Sequence, residues 1–136
     1  MWFVHRTRGS RTRCIVGSGG TRGFAVGYYD ACKLLCPEGN HQLVKELEEV
    51  DRSKATVRMP MLGKRWTVKT LKEGKWVQVA QGNKPYCYGF FYGLSDHRPG
   101  PKVQLLSPIE AVCEERGPFS RPVVQSFRQT GPREGS

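Results

Sequence analysis

The pattern over residues 65–80 constrains the fold of this chain more than any other feature. Side chains alternate there between two faces, with Trp66 and Val68 on one face and mostly charged side chains on the other, as in a half-buried strand. Gly74 can adopt the positive φ of a tight turn, and residues 76–80 return as the partner strand. This hairpin predicts an antiparallel sheet.

Residues 41–52 predict the main helix. Leu43, Leu47 and Val50 fall on a single helical stripe, and Asn40 can cap the first turn. Strands are further predicted at residues 13–16, 23–28, 55–61, 86–92 and 102–106, with a glycine turn at 17–20 and helical turns at 30–35 and 108–113. Together these elements predict an α+β fold with a small antiparallel sheet, one main helix and extended basic termini.

The length of 136 residues leaves room for one compact domain with tails. We place that domain at residues 13–113, after a basic N-terminal arm at residues 1–12 and before a tail at residues 114–136 that is rich in Pro, Arg and Gly. No repeat of fixed period is visible. No apolar run approaches the roughly 20 residues that cross a bilayer, so we expect no membrane span.

Charge is the strongest indication of function. The 22 Lys and Arg against 12 Asp and Glu give a formal net charge of +10, which favours a polyanionic partner. The first 29 residues contain five Arg and no acid, whereas residues 30–53 carry −3 and residues 54–86 carry +7. Such separation fits a basic face laid against phosphate and an acidic back, although ordinary solvated charge is the alternative.

The predicted contacts to RNA phosphate are basic residues of the N-terminal arm, the central hairpin region and the tail. They are Arg6, Arg8, Arg11, Arg13, Arg22, Arg58, Lys64, Arg65, Lys69, Lys72, Lys75, Arg121, Arg128 and Arg133. Aromatic side chains near the central hairpin could stack unpaired bases. Aromatics in strands more often fill a core, so the prediction rests on the charges.

The cysteines and histidines do not predict an enzyme or a metal centre. Cys32, Cys36 and His41 lie close in sequence, but their spacing places the two sulfurs one helical turn apart and supplies no fourth ligand. Cys87 and His97 belong to no catalytic motif. The five cysteines are therefore interpreted as free thiols in a reducing compartment, and we expect no cofactor, metal or small-molecule substrate.

The stretch from Cys14 to Ala31, CIVGSGGTRGFAVGYYDA, resembles the start of the fifth small-subunit ribosomal protein family. The resemblance covers residues 13–50, and it implies a glycine-rich hairpin that leads into a helix, in a fold similar to double-stranded RNA-binding domains. The residues that it implies at the RNA-facing hairpin are Arg13, Gly17, Gly19, Arg22 and Gly27. This sequence has Tyr29 and Asp30 where that family has Gly-Lys, and nothing after Gly63 resembles its second domain.

These features predict a non-catalytic RNA-binding component of a ribonucleoprotein, namely an organellar ribosomal subunit protein that contacts rRNA and neighbouring proteins. The alternatives are an accessory subunit of a non-ribosomal protein assembly and a small viral or regulatory protein that binds double-stranded RNA by itself. The first 13 residues hold four Arg and no acid, as transit peptides do. We therefore expect a mitochondrial or other organellar matrix, with the cytoplasm as the alternative.

Overall fold

The structure, a computed structural model, describes residues 1–97 and 100–111. Its elements are β1 (Trp2–Arg8), β2 (Arg11–Gly20), α1 (Arg22–Leu35), β3 (Asn40–Lys45), β4 (Glu48–Val50), a 3-10 turn (Arg52–Lys54), β5 (Trp66–Lys72), β6 (Lys75–Gly82), α2 (Lys84–Ser95) and β7 (Val103–Leu106). Two antiparallel sheets form, with strand orders β2-β1-β3-β4 and β6-β5-β7. The α+β prediction is confirmed, with two sheets and two long helices. None of the helices in the described ranges is long and apolar enough to cross a membrane.

The hairpin predicted from the alternating pattern is present as β5 and β6. Its two-residue turn has positive φ at both central positions, 51° at Glu73 and 79° at Gly74, which matches the right-handed twist of the flanking strands. The strand predicted at residues 102–106 is also present, as β7 beside β5. Residues 108–111 are helical, as predicted, and residues 112 and 113 of that predicted turn lie outside the described residues.

The chain builds one ββαβ unit twice. β1, β2, α1 and β3 form the first unit, and β5, β6, α2 and β7 form the second, with the strand after the helix paired to the first strand of the hairpin in both. The helix N-caps, Thr21 and Asn83, each accept a hydrogen bond from the amide three residues on. A shift of 62 positions, which carries Thr21 onto Asn83, therefore brings the elements of the first unit close to the bounds of their counterparts in the second. The duplication lies in the fold, whereas the sequence shows no visible repeat.

The two helices contact each other through glycine. A Cβ added at Gly27 would lie 2.0 Å from the carbonyl oxygen of Tyr86, and one added at Gly89 would lie 2.0 Å from the carbonyl oxygen of Phe24. Gly27 and Gly89 occupy equivalent positions in the two units, and so do Phe24 and Tyr86. Each glycine therefore contacts the counterpart of the residue that the other glycine contacts, as expected if a pseudo-two-fold axis relates α1 and α2. Only residues without a side chain allow backbones to approach this closely.

The helices run side by side in the same direction. Near their starts, a Cβ at Gly23 would lie 3.1 Å from Pro85 Cβ. Nearer their ends, a Cβ at Gly93 would lie 2.7 Å from Ala31 Cβ, and the Tyr28 hydroxyl in the middle of α1 donates to Asp96 Oδ2 just after α2 at 2.7 Å. Each helix covers one face of its own sheet, and the apolar side chains beneath form two cores. The first core includes Val4, Ala25, Val26, Cys32 and Leu43, and the second includes Ala31, Val68, Cys87, Phe90 and Leu94.

A second cross-helix hydrogen bond involves a half-buried carboxylate. The Tyr86 hydroxyl donates to Asp30 Oδ2 at 2.6 Å, and Arg52 binds the same carboxylate in a bidentate manner at 2.7 and 2.8 Å. Burial raises the pKa of Tyr28 and Tyr86, and the carboxylate acceptors raise it further. Asp30 therefore joins the two helices and the 3-10 turn. It lies inside α1, which includes the helical turn predicted at residues 30–35.

The predicted helix at residues 41–52 is wrong. The segment forms β3 and β4, in which Leu43 pairs with Val50 on the core side of the sheet and Leu47 is 97% exposed in the connecting turn. The apolar spacing also fits a hairpin, because two antiparallel strands joined by a two-residue turn bring Leu43 and Val50 to the same face of the sheet. β3 also pairs along β1, a non-local partner that the local pattern could not show.

Several other sequence-based elements are corrected. Residues 23–28 and 86–92, predicted as strands, lie in α1 and α2; residues 17–20, predicted as a turn, lie in β2; and residues 55–61 form no strand. Aromatic and β-branched residues favoured strands at the two helices, but caps and close glycine contacts between helices outweigh that preference. The predicted arm at residues 1–12 forms β1 and the start of β2.

Candidate nucleic-acid interface

Both hairpin turns lie at one end of the molecule. β3 begins beside the first turn, with Asn40 opposite Thr7, and β7 begins beside the second, with Val103 opposite Thr70. The ends of α1 and α2 connect to these starts by short segments, and the helices are parallel. We call the two turns, with the ends of the two helices between them, the hairpin end.

The hairpin end carries paired basic side chains. Arg8 lies directly opposite Arg11 across the first turn, and Lys72 lies directly opposite Lys75 across the second. All four side chains are exposed. Glu73 is the one acidic residue within the two turns, residues 8–11 and 72–75.

These basic pairs destabilise the protein when it is alone. Like charges opposite each other in a ladder repel, and none of the four residues forms an ion pair within the part of the chain that the structure describes. The matched arrangement at two equivalent turns is therefore suited to a polyanion that neutralises both pairs. Each pair could donate hydrogen bonds to two neighbouring phosphates, one for each side chain.

A buried, neutral histidine lies behind the first hairpin. His41 is buried with no hydrogen-bond partner for either ring nitrogen among the described residues. Burial lowers the pKa of His41, and the nearby charges of Lys33, Arg6 and His97 lower it further. His41 is thus held neutral at pH 7. It contributes to the packing of the core and adds no positive charge to the hairpin end.

The predicted RNA contacts do not all lie at the hairpin end. Arg13 is exposed on β2. Arg6 is half-buried, and its charge lowers the pKa of Tyr28 and Cys32 in α1 and of His41 in β3. Arg22 is the first residue of α1, at the opposite end. Three of the predicted contacts, Arg121, Arg128 and Arg133, lie outside the described residues.

The remaining predicted contacts are in or next to the second unit. Arg58 and Lys64 are exposed in the segment between the sheets. Arg65 is half-buried and donates from Nε to the Pro60 carbonyl oxygen at 2.7 Å, which gives it a structural role. Lys69 is half-buried on β5. Of the aromatic side chains near the hairpin, Trp76 is 38% exposed beside Lys75, while Phe90 is buried in the core.

The residues implied by the ribosomal resemblance are separated in the structure. Arg13, Gly17 and Gly19 lie in β2, and Arg22 starts α1. Gly27 lies against Tyr86 in the contact between the helices, so it is not at a hairpin. That part of the implied arrangement is wrong, because the contact between the helices could not be read from the local sequence.

The cysteines differ in burial: Cys32 and Cys87 are buried, and Cys36 is half-buried. Burial raises the pKa of the Cys32 thiol to about 12 and that of the Cys87 thiol to about 12, so both are protonated and inert at neutral pH. The Cys36 thiol and the His41 ring both lie beside Gly39. Within residues 1–97 and 100–111, no cluster of three or more Cys, His, Asp or Glu could hold a metal ion.

Comparison with known proteins does not identify a family. No family model, curated protein or solved structure matches this chain.

Proposed function

We propose that this chain is a non-catalytic RNA-binding protein that binds the phosphate backbone through the two basic turns of the hairpin end. The observation that supports this proposal best is the matched pair of like charges at both turns, Arg8 with Arg11 and Lys72 with Lys75. A fold that maintains repulsive pairs at two equivalent positions gains most from a partner that supplies negative charge.

RNA is proposed as the polyanion, and a ribonucleoprotein as the setting. The net charge of +10 and the acid-free first 29 residues support a nucleic acid over an acidic protein, because charge of one sign is spread over a long stretch. An organellar ribosomal subunit in a mitochondrial matrix is the specific setting that we propose. Size fractionation of a native extract, with and without RNase, tests it: the chain should migrate with ribosomal subunits and leave them after RNase. Free migration near 15.4 kDa would contradict the ribosomal setting.

The binding surface is tested by neutralising one turn at a time. Arg8→Gln with Arg11→Gln, and Lys72→Gln with Lys75→Gln, each remove two charges, and each should weaken RNA binding several-fold in fluorescence anisotropy. The matched control is Arg22→Gln with Lys54→Gln, which removes two exposed charges outside the hairpins and should weaken binding less.

A change of opposite sign gives a second test. Glu73 lies between Lys72 and Lys75 at the second turn, so Glu73→Gln should tighten RNA binding by removing repulsion from phosphate. Equal losses for the hairpin and control pairs, together with no gain from Glu73→Gln, would show that the hairpin end is not the binding surface. Tighter binding to duplex or single-stranded DNA than to RNA would contradict RNA as the ligand.

A further inference from the structure

The end of the first sheet opposite the hairpin end carries an acidic turn, residues 46–49. Glu46 and Glu49, with Val44 and Leu47, line one part of a cavity of about 380 Å³. The cavity continues along the sheet past His5, Thr7, Thr12 and Gln42. Glu46 binds the N-terminal ammonium of Met1 at 2.8 Å, whereas Glu49 has no ion-pair partner within the described residues. Leu47, at the tip of the turn, is 97% exposed. This surface therefore combines an exposed apolar side chain with negative charge.

A second surface has the complementary composition. We call residues 58–64 the basic apolar segment, because Met61 and Leu62 are 72% and 80% exposed and Arg58 and Lys64 flank them as exposed cations. Exposed apolar side chains that are adjacent in sequence, unlike scattered ones, mark an interaction site.

Two hydrogen bonds and the neighbouring core residues hold the segment. A turn closes between the Lys64 amide and the Met61 carbonyl oxygen at 3.0 Å, and Arg65 binds the Pro60 carbonyl oxygen at 2.7 Å. Ala55 and Val57 anchor its approach in the first core. Because the segment is held in place, little conformational entropy remains to be lost when it binds.

We infer that the basic apolar segment of one copy of this chain docks into the acidic turn cavity of a second copy. Met61 and Leu62 would pack on Val44 and Leu47, and Arg58 and Lys64 would lie near the carboxylate of Glu49, which no cation of its own chain pairs with among the described residues. The two surfaces are different, so the contact is heterologous and each copy keeps one free surface of each kind. Association therefore continues from copy to copy. This inference is independent of RNA binding.

Sedimentation equilibrium of protein freed of nucleic acid tests the contact. The mass of the wild-type chain should rise above 15.4 kDa with concentration and fall again with added salt. A cavity variant, Leu47→Ser with Glu49→Lys, and a segment variant, Met61→Ser with Leu62→Ser, should each remain monomeric. Ile109→Ser, a control at an exposed apolar position elsewhere, should associate like the wild type.

Mixing the two variants distinguishes this contact from any other. The cavity variant keeps an intact segment and the segment variant keeps an intact cavity, so an equimolar mixture should form dimers of twice the monomer mass and nothing larger. A wild-type chain that stays monomeric at every concentration would overturn the inference. So would variants that associate normally, or a mixture that stays monomeric. Circular dichroism confirms that each variant is folded.

Discussion

Substitution of Gly27 by Ala tests the helix pair on which the arrangement of the two units depends. The new Cβ would lie 2.0 Å from the Tyr86 carbonyl oxygen, whereas real Cβ contacts stay beyond 3.0 Å, so the helices must separate by about 1 Å. Overpacking of this kind costs about 1–3 kcal/mol or more. The better helix propensity of Ala returns only about 1 kcal/mol. Because the new Cβ meets backbone atoms and not a movable side chain, the cost lies at the upper end of that range, and we expect a net loss of roughly 2 kcal/mol in the free energy of unfolding.

Urea denaturation followed by far-UV circular dichroism measures this loss as a lower midpoint at an unchanged slope. Gly89→Ala should cost a similar amount, because its Cβ would lie 2.0 Å from the Phe24 carbonyl oxygen. Gly23→Ala is the matched control in the same helix, since its nearest contact would be 3.1 Å to Pro85 Cβ, and it should change stability little. If Gly27→Ala were as stable as the wild type, the close contact between the helices would be refuted.

Three further properties follow from the structure. Tyr28→Phe removes the hydrogen bond to Asp96 and should lower the free energy of unfolding by about 1 kcal/mol; no change in urea denaturation would argue against this bridge. Cys32 and Cys87, whose pKa burial raises to about 12, should react with a thiol reagent only after unfolding, whereas exposed Cys14 should react in the native protein; peptide mapping by mass spectrometry distinguishes them. Because burial lowers the pKa of His41 in the folded state, the unfolded chain binds more protons at mildly acidic pH, so stability should fall as the pH drops below about 6.5. His41→Gln should reduce that dependence, and an equal dependence in the variant would contradict it.

Local chemistry was sufficient to predict part of the fold. The β5–β6 hairpin depends on alternation and on a turn with Gly74, both of which lie within residues 65–80, so a short window contains the information. The elements that could not be predicted depend on distant partners. β3 forms because β1 offers it a ladder, and the close packing of α1 and α2 depends on glycines more than 60 residues apart in sequence.

Signals for the two helices were nevertheless present in the sequence. Thr21 and Asn83 are good N-caps, and Pro85 suits the first turn of a helix. The Gly-x-x-x-Gly spacing at Gly23 and Gly27, and again at Gly89 and Gly93, places small residues on one helical face. Aromatic residues between these glycines favoured strands instead. The basic character of the candidate interface was predictable from composition, but its position at two equivalent turns required the duplicated topology.

The salt dependence of RNA binding tests most directly whether the two hairpins bind phosphate. If Arg8, Arg11, Lys72 and Lys75 each neutralise one phosphate of a single strand, the logarithm of the association constant should fall with the logarithm of salt concentration with a slope of about −3. Neutralising either hairpin should reduce the size of that slope by about 1.4, and neutralising Arg22 and Lys54 should leave it unchanged. A slope near zero, or equal slopes for the hairpin variants and the wild type, would contradict RNA binding at the hairpin end.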